Sequence, residues 1–137
     1  MTLDARAQTT LDAWHRMVAA RDLTAVESLC AREAVFRSPV AHTPYAGAAM
    51  VAAFLQQAVL TFENFRYHRT FVAGSHGVVL EFSASVSGKE LRGIDMITFD
   101  AEGRFLDFEV MVRPASGLQA LGAEMARRMA PLLGAKS

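Results

Sequence analysis

Along the first part of the chain, Ala7, Leu11, Trp14 and Val18 fall at i, i+4, i+7 and i+11. This is one stripe of an amphipathic helix, which Arg21 and Asp22 end. Thr24 and Glu27 have the spacing of a capping box, predicting a short second helix that buries Val26, Leu29 and Cys30. A four-residue strand at 35–38 precedes a loop framed by Pro39 and Pro44. Gly47 then leads into a third helix with Val51, Phe54, Leu55 and Ala58 on one face.

The second half changes to a period of two. Over 79–87, Leu80, Phe82, Ala84 and Val86 alternate with Glu81, Ser83, Ser85 and Ser87. A turn at Ser87, Gly88 and Lys89 leads to a strand over 90–99, which ends in a turn closed by Gly103 in the left-handed conformation. Over 104–113, Leu106, Phe108, Val110 and Val112 alternate with Asp107, Glu109, Met111 and Arg113. A further strand is expected over 63–73, with Phe65, Tyr67 and Phe71 on one side and Arg69 among them. Pro114 stops the last strand, and Leu118, Leu121, Met125 and Met129 form the stripe of a closing helix. Helices first and a meander afterwards predict an α+β fold. Its curved antiparallel sheet of five to six strands is backed by three N-terminal helices and a C-terminal helix, and encloses an apolar pocket.

Composition narrows the function classes. At 137 residues and 52% hydrophobic, the chain suits a single domain over 1–137 that needs no disulfide, and Cys30 has no partner to form one. Fourteen Lys and Arg balance fourteen Asp and Glu, so neither a nucleic acid nor an anionic membrane is an expected partner. The longest uncharged apolar run, 45–55, is eleven residues, short of the ~18 that span a bilayer. Asp4 and Arg6 precede any apolar segment, which points away from a signal peptide and to a cytoplasmic protein. No glycine-rich phosphate loop is present and no histidine has a second ligand at i+2 or i+4, so neither cofactor nor metal is expected.

The segments AVFRSPV at 34–40 and PYAG at 44–47, followed by a helix, resemble the strand, loop and third helix of the nuclear transport factor 2-like superfamily. Likewise GID at 93–95, followed by FDAEGR at 99–104, is similar to the matching hairpin of ketosteroid isomerases and SnoaL-like cyclases. Trp14, eight residues before Asp22, fits the same layout. The resemblance implies a cone with a pocket between sheet and helices, and a homodimer formed through the outer sheet face. It also implies a break with ketosteroid isomerase chemistry. That reaction calls for a carboxylate base where this chain has Ser38, a tyrosine where it has Trp14, and a protonated acid where it has Asp95. Only Asp95 matches. A serine without a basic partner does not replace the base, so steroid isomerisation is not expected.

Asp95 is the leading candidate for chemistry. Alternation places it with Ile97 and Phe99, away from Met96 and Thr98, so a strand-averse carboxylate faces apolar surroundings and its pKa should rise. A structural partner, a backbone amide or Trp14, is the alternative reading. His42 is the second catalytic candidate, placed in the loop where it would overhang the pocket; a solvated histidine is its alternative. The expected ligand-binding wall comprises Trp14, Phe36, Ser38, Tyr45, Phe54, Phe82, Ile97, Phe108, Val110 and Val112. The expected ligand is a small apolar molecule. The chain is then either a cofactor-independent acid/base enzyme (isomerase, cyclase, dehydratase or hydrolase) or a non-catalytic binding or dimerisation module. Met96, Thr98, Met111 and Arg113 on the outer face predict a homodimer.

Overall fold

The structure, a computed structural model, describes residues 2–133. Helix α1 (Ala5–Ala20) begins where the Asp4 carboxylate accepts hydrogen bonds from the Arg6 and Ala7 amides, and it ends at Arg21 in the left-handed conformation (φ 53°). Its buried face is Ala7, Leu11 and Trp14. The Arg21 guanidinium donates to the Phe62 and Leu60 carbonyls, so it caps the C-terminal end of α2 (Ala48–Thr61) with positive charge. The capping box expected at Thr24 does not form. Its hydroxyl turns back to Asp22 at 2.8 Å, and the second helix is a single 3₁₀ turn over Val26–Leu29.

Six strands follow: β1 (Cys30–Arg37), β2 (Tyr45–Ala46), β3 (Glu63–Val72), β4 (Gly77–Val86), β5 (Lys89–Phe99) and β6 (Phe105–Arg113). They form one sheet in the order β2-β1-β6-β5-β4-β3, antiparallel throughout except that β1 runs parallel to β6. Strand β1 is twice the expected length. Its pairing with β6 shifts register between Cys30 and Val35, which interrupts the alternation by which a strand is read. A second irregularity, between Tyr67 and Thr70 on β3, corrects the expected face. Arg69 points outward to Glu81 (2.8 and 2.9 Å), and Phe71 is 48% exposed with the Arg69 guanidinium over its ring.

Helix α3 (Ala115–Leu133) crosses the open side of the curved sheet. It approaches closely because residue 117 is glycine: a Cβ there would sit 2.8 Å from both the Glu90 carbonyl oxygen and the Leu91 Cβ. Apolar side chains gather in two clusters, a larger one between α1, α2 and the sheet, and a smaller one around Phe62, Phe82 and Leu91. Tyr67, Val110 and Met125 touch both clusters, and between the two lies a gap. No described helix is long and apolar enough to cross a membrane.

Candidate active site

The gap is a cavity of about 280 Å³, at the lower edge of the range for small-molecule pockets (roughly 300–1,000 Å³). All three residues bridging the two clusters line it, and Leu121, Met125 and Met129 of α3 close it. Its walls are aliphatic and aromatic, with polar atoms supplied by Ser38, Tyr45, Tyr67, Asp95 and the Trp14 indole.

Three elements bring Trp14, Tyr67 and Asp95 together. Asp95 on β5 lies opposite Leu80 and Val110, inward and only 6% exposed. Tyr67 on β3 lies opposite Phe82, which lies opposite Gly93, so the tyrosine hydroxyl reaches diagonally across β4 to the carboxylate. Gly93 makes this possible. A Cβ there would stand 2.6 Å from Cζ of Phe82 and 2.5 Å from the Met111 carbonyl oxygen, so the Phe82 ring lies in space that any side chain would take. The Trp14 indole, set edge-on against Phe105 and Phe108, donates to the Tyr67 oxygen at 2.9 Å; Tyr67 donates in turn to Asp95 Oδ2 at 2.5 Å.

Burial pushes Asp95 up from 3.8 to about 7, with the Tyr67 hydrogen bond opposing the shift. Burial, then the Asp95 charge, hold the Tyr67 phenol well above its usual 10.0, so Tyr67 stays protonated. Behind its ring stands His15, 5.1 Å away edge-on and lowered by burial. Near neutral pH, therefore, Asp95 is the group among the described lining residues that exchanges a proton most readily. Cys30 offers no nucleophile, since burial raises its thiol to about 12.

Of the residues expected at the site, Trp14, Phe36, Ser38, Tyr45, Phe54, Asp95, Phe108 and Val110 line the cavity. Four expected residues do not. His42 is exposed and outside the wall, although Val40 and Ala41 just before it line the cavity and Val40 lies against Gly122 of α3. Phe82 is wholly buried beneath the cavity, stacked on Phe65 over Gly93. Ile97 lies deeper in the main core opposite Phe108, and Val112 packs against the smaller cluster. The residue that sequence reasoning missed is Tyr67. Its signal was present, a polar-tipped side chain at an inward position beside Phe65, while an inward aspartate lacked a partner.

A family model described as a SnoaL-like domain matches residues 11–108, which include Trp14, Tyr67 and Asp95. No curated protein matches the chain. Among solved structures, a steroid delta-isomerase from Pseudomonas aeruginosa is 55% identical over 96% of this chain and 97% of its own, with a TM-score of 0.92. A bacterial protein with a cystatin-like fold from Silicibacter pomeroyi DSS-3 is 31% identical over 93% and 88%, with a TM-score of 0.83. An NTF2-like protein from Mesorhizobium loti, 18% identical over 83% and 100% with a TM-score of 0.71, shares the fold.

Proposed function

Because the chain belongs to the SnoaL-like domain family, we propose that it binds a small, largely apolar molecule in the cone cavity and exchanges a proton with it through Asp95, without a cofactor. One observation carries this reading: an apolar cavity has a single carboxylate in its described wall, buried and hydrogen-bonded by Tyr67. A carboxylate that titrates near neutral pH is suited to taking and returning a proton. The activity in the name of the Pseudomonas aeruginosa relative is not expected of this chain. Allylic isomerisation of a steroid needs a base and a donor to the developing oxyanion at once, and the resemblance to ketosteroid isomerases implies that Ser38 stands where their base would be.

A second reading has its own support. Apart from Asp95, the described wall holds no Glu, His, Lys or other Asp, so a purely binding role needs no further group. Incubation with β-tetralone in D₂O separates the two. Shifts of the Val110 and Met125 methyl signals report binding, and deuterium at the ketone's α-carbon reports proton exchange. Exchange lost in Asp95→Asn supports catalysis, binding without exchange supports the second reading, and neither would reject both for this class of ligand.

We further propose a homodimer through the outer sheet face. Met96 and Met111 are 38% and 42% exposed there. Along β6 the outward side chains run Glu109, Met111, Arg113, opposite in charge on either side of the methionine. Arg92 faces Arg113 across the strand pair, and among the described residues neither arginine nor Glu109 is ion-paired. A twofold axis through Met111 and perpendicular to β6 would set Glu109 of one copy against Arg113 of the other.

A further inference from the structure

We infer that Tyr67 and Trp14 act as a pair of positioning residues that leave Oδ1 of Asp95 as the sole atom of that carboxyl free to exchange a proton with a bound molecule. The inference rests on the reading of Asp95 as the acid/base group, and it concerns two residues to which that reading gives no task.

The direction of the chain follows from which groups can donate. An indole N–H donates and accepts nothing, so the 2.9 Å contact occupies a lone pair of the Tyr67 oxygen. The phenolic proton must then go elsewhere, and Oδ2 of Asp95 at 2.5 Å is the acceptor within reach. The reverse arrangement, Asp95 donating from Oδ2 to Tyr67, would give the phenol oxygen two donors and strand its own proton against an apolar wall. Leaving a buried donor unsatisfied is costly, so that arrangement loses.

The same orientation serves both protonation states. When Asp95 is ionised, Oδ2 accepts from Tyr67 and Oδ1 is open to take a proton from the bound molecule. Once it has done so, the O–H bond is on Oδ1 and Oδ2, now a carbonyl oxygen, still accepts from Tyr67. The proton then returns from Oδ1 to a different atom of the same molecule, with no net gain or loss. Nothing behind Oδ2 has to rotate during either transfer, which is the meaning of a preorganised site. The other titratable groups facing this region are few. Tyr45 lies across the cavity, and His15 lies on the far side of the Tyr67 ring. The described wall contributed by β6 and α3 is apolar, while Arg92 on β5 and Glu81 on β4 point to the outer face.

The test is a carboxyl-carbon NMR titration of Asp95 in the ligand-free protein, so its outcome is independent of whether any ligand is found. Tyr67→Phe removes a hydrogen bond to the ionised form and should raise the Asp95 pKa further, by about one to two pH units. Trp14→Phe should raise it by less, because Tyr67 keeps its proton but loses the donor that holds it in place. In the double variant Trp14→Phe should add nothing. A merely structural Trp14 predicts the opposite sign: a loosened wall admits water and the pKa falls towards 3.8. Such a fall in either single variant, or additive shifts in the double variant, would overturn the inference. Since Trp14→Phe opens space in the core, the Tyr67 hydroxyl proton of the wild type gives a second measurement that needs no variant. A strongly deshielded signal that persists on both sides of the Asp95 titration is expected, and its disappearance on one side would refute the fixed orientation.

Discussion

Replacing Asp95 by asparagine should stabilise the protein at alkaline pH and leave it nearly unchanged in acid. Asparagine has the same shape, its amide oxygen still accepts from Tyr67, and it carries no charge to desolvate. Burial pushes the native carboxyl up from an ordinary 3.8 to about 7, so the folded state binds this proton more tightly than the unfolded chain. Its contribution to stability is therefore complete below the unfolded pKa and is lost as pH rises through the folded one. At about 1.4 kcal/mol per pH unit, the interval corresponds to roughly 4 kcal/mol. Relaxation around a buried ion lowers such penalties, so a loss of roughly 2–4 kcal/mol is expected in practice. Urea denaturation of both proteins at several pH values measures it. The carboxylates of Glu81, Asp22 and Glu124, held low chiefly by hydrogen bonds, have the opposite pH dependence but are common to both proteins and cancel in the difference. The gap in favour of Asp95→Asn should open between acid and neutral pH, then level off. A gap independent of pH, or one favouring the wild type as pH rises, would refute the reasoning.

Three further outcomes are expected. Turnover of a Δ5-3-ketosteroid, followed by ultraviolet absorbance of the conjugated product, should not exceed the solution rate, and Ser38→Asp should restore little while Trp14 holds the tyrosine position; substantial wild-type turnover would contradict this. Sedimentation velocity at micromolar concentration should give a dimeric mass for the wild type and a monomeric one for Met111→Glu, and a monomeric wild type would remove the proposed interface. Gly93→Ala should lose about 1–3 kcal/mol in urea denaturation, because Phe82 or the Met111 carbonyl must move aside; an unchanged midpoint would mean that this crowding is relieved at no cost.

The hairpins of the second half were legible because each strand has one core face and neighbours joined by tight turns, so a period of two maps directly onto β4, β5 and β6. The inward direction of Asp95 followed from the same rule. Alternation gives a face and not a height along the cone, which is why Phe82, Ile97 and Val112 share the inner side with Asp95 yet miss the cavity. It also fails wherever an extra residue enters a strand, as between Tyr67 and Thr70, where Arg69 and Phe71 are carried outward. The hydrogen bond from Tyr67 to Asp95 spans 28 positions and depends on the missing side chain at Gly93, a geometric condition with no periodic signature. His42 was a question of loop direction at a single residue, since Val40 and Ala41 line the cavity and His42 does not; no periodic pattern governs a loop.

The parallel pairing of β1 with β6 sets an order of assembly. Strands β3 to β6 join through short connections and meet neighbours close in sequence, whereas Arg37 and Asp107, ion-paired across the β1–β6 seam, are 70 residues apart. Closing so long a loop before its contacts form is entropically unfavourable, so the meander has the local advantage and the seam joins late. Phe36 and Phe108, neighbours across that seam, both belong to the cavity wall. A chain still being synthesised has Trp14 and Phe36 long before it has Phe108 and Val110. Until β6 has emerged there is no enclosed site, and a ligand of this cavity would have nothing native to hold on the nascent chain.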